Sequence, residues 1–156
     1  KTMIELVRIL PPNKELAVYV YAKKALPREL LDEYFRKETK NISNEDMWEM
    51  SEQLTELGKR LDELDVDIDV PDIPLLDIKG GKINIQRFIY WNFLKCFWNN
   101  DLGKETSISV NYDWYAPQNA DRYSKDEFMK MVSNAGLEER EFHTEEACHS
   151  GRFIKK

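Results

Sequence analysis

Apolar residues recur at helical spacing along most of the chain, broken by one short run in which nearly every position is apolar. That run, Leu16–Ala17–Val18–Tyr19–Val20–Tyr21, follows Glu15 and shows no clean polar alternation, the pattern of a strand covered on both faces. Leu6 to Leu10 reads as the end of a helix that enters the strand through Pro11–Pro12–Asn13–Lys14. Lys1 already falls inside the helical pattern. The reading therefore expects further polypeptide upstream, supplying a partner strand for residues 15–21 that this sequence does not encode.

Helical signals dominate the middle. Pro27 opens a helix where a missing N–H costs nothing, and Leu30, Leu31, Tyr34 and Phe35 form its apolar stripe. Ser43 is an N-cap with Asp46 three residues on, followed by Met47, Met50, Leu54, Leu57, Leu61 and Leu64 at alternating spacings of three and four. This seam fits either a dimer or partner helix or an intramolecular hairpin, and Gly58 within it weakens the helix by about 1 kcal/mol relative to alanine. Asp65 to Ile78 is an acidic, proline-punctuated link, and Gly80–Gly81 a turn. Lys82 to Asn99 reads as one helix, apolar on nearly all sides and so buried by at least two other elements. Its Tyr90–Trp91–Asn92–Phe93 and Phe97–Trp98 clusters suit a lid or simple core.

Ser107 to Tyr115 reads as extended, ended by Ala116–Pro117. Ser124 and Glu127 make a capping box before Phe128, Met131, Val132 and Ala135, and Gly136 stops that helix. Leu137 to Thr144 alternates weakly, like an edge strand, and Gly151 to Lys156 is short and β-like.

Composition narrows the function. The 156 residues carry a net charge of −6, which gives non-specific nucleic-acid binding no electrostatic support. No run approaches the roughly 18–20 apolar residues of a membrane span, and no secretory signal is visible. Cys96 and Cys148 offer neither metal-ligand spacing nor a disulfide framework, so a reduced, cytoplasmic setting is expected. Cys96 reads as a small buried hydrophobe.

The order of elements resembles the C-terminal half of a class I S-adenosylmethionine-dependent methyltransferase. Leu10–Pro11–Pro12–Asn13–Lys14 stands where the family has an "LKPGG" turn, both glycines being absent. Asn134–Ala135–Gly136–Leu137 matches the family's "EAGF", and Tyr112–Asp113–Trp114–Tyr115–Ala116–Pro117 resembles a segment found ahead of that helix in some members. The resemblance implies a partial α/β fold: the fifth strand and antiparallel closing hairpin of a Rossmann-like sheet, with a large helical insertion. Residues 15–21, 137–143 and about 150–155 would be adjacent strands, the last lying beside the fifth. Residues 1–26 would then belong to the sheet and 27–105 to the insertion, with 106–156 forming the substrate-side segment, last helix and hairpin. The family's glycine-rich cofactor turn and acidic ribose ligand would precede Lys1. No glycine here lies in a G-x-G-x-x-G pattern after a strand, so the chain alone is expected to be inactive and not to bind S-adenosylmethionine.

By that resemblance the chain contributes a substrate-binding pocket for a small-molecule acceptor; Tyr112, Asp113, Trp114 and Tyr115 suit it best, with Trp114 and Tyr115 as walls and Asp113 to orient or deprotonate the acceptor, and Arg152 is a candidate contact for an acidic group. Asp113 and His143 are the candidate acid–base groups. The bland alternatives are that the rings pack the insertion, that Asp113 caps a turn or pairs with Arg122, and that His143, His149 and Arg152 are structural or inert. Cys148 and His149, adjacent on a strand, point to opposite sides and make no nucleophile pair. The rival class is a non-enzymatic α+β interaction module using the Met47–Leu64 seam. A weaker third reading is a degenerate fragment acting as an activating partner subunit. An open strand edge at residues 15–21 would favour a homodimer or other association.

Overall fold

The computed structural model describes residues 2–117 and 119–156. Its elements are α1 (Thr2–Ile9), β1 (Glu15–Ala22), α2 (Leu26–Glu38), α3 (Asn44–Asp62), β2 (Asp67–Val70), a 3-10 turn (Pro74–Leu76) and β3 (Gly81–Asn84). They continue with α4 (Ile85–Asn92), α5 (Gly103–Tyr115), β4 (Arg122–Tyr123), α6 (Lys125–Asn134), β5 (Leu137–Thr144) and β6 (Cys148–Lys155). The chain is α/β and forms two compact units, residues 1–23 with 121–156, and residues 24–120. No described helix is long and apolar enough to cross a membrane.

The first unit is built on a mixed four-stranded sheet of order β4-β1-β6-β5. The final strand, β6, lies between β1 and β5 and is antiparallel to both. This is the adjacency expected of residues 15–21, 137–143 and 150–155. α1 and α6 cover one sheet face through Met3, Val7, Phe128, Val132, Leu137 and Phe153, onto which Leu16, Val18 and Val20 pack. The opposite parity of β1 is exposed, with Tyr19 at 58%. The expectation of a strand covered on both faces is thus corrected within this unit: apolar residues occupy both parities, but helices meet only one.

Two turns show how sequence sets backbone here. Asn13 adopts φ +61° in the turn where the resembled family has glycine; its short polar side chain tolerates the left-handed region better than most. Lys155 then donates from Nζ to the carbonyls of Val7 and Leu10, both at 2.7 Å, satisfying groups that the end of α1 leaves open. At α6 the Ser124–Glu127 capping box is complete, and Gly136 at φ +77° ends the helix as expected.

β1 runs in full register with β6 but meets parallel β4 only at Tyr21 and Ala22. The expectation that no partner strand is encoded for that edge is corrected at this end, where β4 supplies one. The Ala22 N–H donates to Ala147 and the Lys23 N–H to Tyr123, so even-numbered residues of β1 face β6 and odd-numbered ones the other edge. Along Glu15–Val20 that edge has no strand partner among the described residues.

The second unit is mainly helical and departs more from the sequence reading. Residues 107–115 form helix α5, not an extended segment: Ser107, Ile108, Asn111, Trp114 and Tyr115 are buried at helical spacing, and two polar members disguised the period. The single helix expected over 82–99 is instead β3 followed by α4, which Asn84 caps through the Gln86 N–H and which ends at Asn92. In α3 the buried line is Met47, Ser51, Thr55 and Gly58, whereas Leu57 and Leu64 of the expected seam are exposed. The Ser43 cap is present. In α2 the buried residues are Arg28 and Asp32, while Leu30 (62%) and Tyr34 (59%) of the expected stripe face outward.

The backbone of residues 96–98 passes close to α3 at Gly58, and a Cβ there would strike the Cys96 carbonyl. Gly58→Ala should therefore destabilise the protein by about 1–3 kcal/mol, against the gain of about 1 kcal/mol that helix propensity alone gives. Urea unfolding of the variant decides the sign.

Candidate functional site

In the second unit, α2 places Arg28 and Asp32 four residues apart on its inner face, 1% and 0% exposed. The Arg28 Nε donates to both carboxylate oxygens at 3.0 Å, and Nη1 donates to the Tyr90 carbonyl. Trp114 Nε1 donates to Asp32 Oδ2 at 2.9 Å. Cations surround that indole: Lys95 Nζ lies 4.6 Å, Arg28 Cζ 5.3 Å and Arg36 Cζ 5.5 Å from its ring centre.

Lys95 is 7% exposed. Among the described residues its Nζ makes no hydrogen bond or ion pair and lies over the Trp114 ring. Burial, reinforced by the Arg28 charge and opposed by Asp32 and Asp113, lowers its pKa from 10.5 to about 7. Burial likewise raises the Cys96 thiol to about 11 and pushes the Tyr115 phenol upward, so neither ionises near neutrality.

The irregular strip that carries Lys95 is held by side chains instead of by secondary structure. The Tyr115 hydroxyl accepts from Lys95 N at 3.1 Å and donates to Lys95 O at 3.3 Å. Gln86 Nε2 donates to Cys96 O at 3.2 Å. The Asn111 side chain accepts from Phe97 N at 2.8 Å and donates both to Phe97 O and to Thr55 Oγ1. Gln86, Thr55, Asn111 and Tyr115 are all buried, so losing any of these bonds would strand a backbone group away from water.

The residues singled out from sequence are dispersed. Trp114 and Tyr115 join the buried cluster; Asp113 is exposed on α5, and Tyr112 is half-buried with its ring 5.4 Å from that of Trp48. In the first unit His143 is exposed, its Nε2 3.7 Å from Glu145. Arg152 is exposed on β6, where Glu141 accepts from Nη2 at 2.6 Å and Glu15 lies 4.0 Å away. His149 is buried, with Nδ1 2.7 Å from Thr144 Oγ1 and Nε2 3.0 Å from the Tyr123 carbonyl, stacked on Phe128. It is a structural ring. Tyr19, Glu141, His143, Gly151 and Arg152 line an open depression of about 430 Å³ on the uncovered sheet face.

Arg28, Asp32 and Lys95 were not picked out by sequence reasoning. Their only signal is an i,i+4 acid–base pair on a helix and a lysine inside an aromatic run, patterns that solvated charges share. Compared with known proteins, the chain matches no family model, no curated protein and no solved structure.

Proposed function

We propose that the chain is the C-terminal, substrate-side part of a class I S-adenosylmethionine-dependent methyltransferase acting on a small-molecule acceptor. The observation that carries this reading is the strand order: β6 closes the sheet between β1 and β5, antiparallel to both. α1 and α6 packed on one face of that sheet agree with it. The second unit, inserted in the chain between β1 and β4, is then the acceptor side.

Methyl transfer from a sulfonium draws on an already activated donor, so the protein mainly aligns the reactants and keeps water out. In this reading the rigid second unit, keyed by Arg28, Asp32 and Trp114, provides the walls. Asp113, on the exposed side of α5, is the carboxylate free to orient or deprotonate an acceptor. Cofactor contacts are assigned to polypeptide preceding Lys1. The parent reading frame tests this: a strand, glycine-rich turn and helix encoded upstream supports the methyltransferase, and a gene starting at Met3 supports an interaction module.

The open edge of β1 favours association of two copies of the isolated chain, since Glu15, Ala17 and Tyr19 direct their backbone groups outward beside exposed side chains. Sedimentation should show dimers or larger species at high concentration. Ala17→Pro removes an outward N–H while leaving the β6 ladder intact, and should yield a folded monomer. A wild-type chain that stays monomeric contradicts this.

A further inference from the structure

We propose that a cleft between the end of α2 and the start of α3 binds a phosphate-sized oxyanion, free or as the end group of an ester. The inference is independent of the methyltransferase reading and rests on the groups that line the cleft. Its volume is about 110 Å³, several times what a single water needs. Arg36, Lys40, Ser43 and Asn44 bring polar groups to it, and the buried Met47 and Tyr115 also line it. Among the described residues no carboxylate lines the cleft, although acids outnumber bases 29 to 23 along the chain. Glu45 and Asp46, in the first turn of α3, are not part of the lining.

The four polar groups are donors. Arg36 Nη2 donates to the Trp114 carbonyl at 3.2 Å, which fixes the guanidinium beside the cleft. Lys40 is exposed and forms no ion pair among the described residues. Ser43 Oγ accepts from the Asp46 N–H at 3.0 Å as the cap of α3, so its own hydrogen is left to donate. Asn44 Oδ1 accepts from the Tyr112 hydroxyl at 3.5 Å, which leaves its amide hydrogens for another acceptor. Thr39 also lines the cleft, but its Oγ1 already donates to the Phe35 carbonyl at 2.6 Å.

Two cations and two neutral donors thus meet around one small space, and the chemistry that answers them is a negatively charged group made only of acceptors. A tetrahedral oxyanion is such a group, and its size suits the cleft. The positive end of the α3 dipole adds to the same field. The depression on the uncovered sheet face shows the contrast. Arg152 lines that space too, but Glu141 lines it as well and accepts from Arg152 Nη2 at 2.6 Å, so that cation is already answered within the protein.

Calorimetric titration of inorganic phosphate into the full chain at low ionic strength is the test. Saturable binding of one phosphate per chain is expected. Lys40→Gln and Arg36→Gln should each weaken it by about 10-fold or more, the usual effect of losing a charged hydrogen-bond donor. Because Lys40 is exposed, its variant reports on the cleft without disturbing the core. Lys79→Gln, at an exposed position outside the cleft, should bind phosphate as the wild type does. Phenyl phosphate separates the two sources: tighter binding than inorganic phosphate assigns the cleft to an ester, and equal or weaker binding assigns it to the free ion. No saturable binding of phosphate, or binding that Lys40→Gln leaves intact, overturns the proposal.

Discussion

Replacing Lys95 with methionine is expected to stabilise the protein at neutral pH by several kcal/mol. Lys95 is 7% exposed, and its pKa falls from 10.5 to about 7 on folding. Between those values the unfolded chain binds more protons than the folded one, so wild-type stability rises as pH increases from about 7 towards 10.5. Below about 7 both states are protonated and the penalty is complete. Each pH unit of the gap is worth about 1.4 kcal/mol, which sets an upper limit of about 5 kcal/mol on the gain from removing the charge. Methionine keeps the length and flexibility of the side chain and its contact with Trp114. Urea unfolding at pH 7 and pH 9 should show a large advantage for Lys95→Met at pH 7 that shrinks at pH 9. Equal stability at pH 7, or an unchanged pH slope, would show that the ammonium is solvated in the native protein.

Substituting Asp32 should produce the largest loss. Asp32→Ala removes the partner of Arg28 and the acceptor of Trp114 Nε1 together, leaving a guanidinium 1% exposed with no counter-charge. Breaking such a pair from one side costs about 3–5 kcal/mol, because an uncompensated charge remains buried. Restoring an apolar pair of similar volume should undo most of this: Arg28→Met with Asp32→Leu should recover stability that neither single change retains. A double variant no better than Asp32→Ala would mean that the Trp114 bond, and not the charge pair, holds α2 in place.

The two predictions share a physical origin, and it also explains what the sequence revealed. Elements set by local chemistry were legible: Ser124 and Glu127 announced α6, Ser43 announced α3, and the apolar run at 16–21 announced β1. The adjacency of β1, β5 and β6 agrees with the order of elements expected from the sequence. The second unit was hidden because polar residues face its interior. Arg28, Asp32, Ser107 and Asn111 are polar yet face inward, so the stripe expected of α2 lies on its exposed side, residues 107–115 read as extended, and one helix is expected through Asn99 where α4 ends at Asn92. Those residues leave the helix because Tyr115, Gln86 and Asn111 satisfy their backbone from distant points in the sequence, which no local pattern records. Trp114 and Tyr115 stand out in the sequence by their size and by the segment that carries the resemblance, whereas their partners Asp32 and Lys95 carry no comparable mark.

The methyltransferase reading turns on where the donor binds. Titration of S-adenosylmethionine into these 156 residues, and into the same residues joined to the polypeptide encoded upstream, tests it most directly. Binding by the joined protein and none by the isolated chain is the predicted result. Binding by the isolated chain, or by neither, would contradict it.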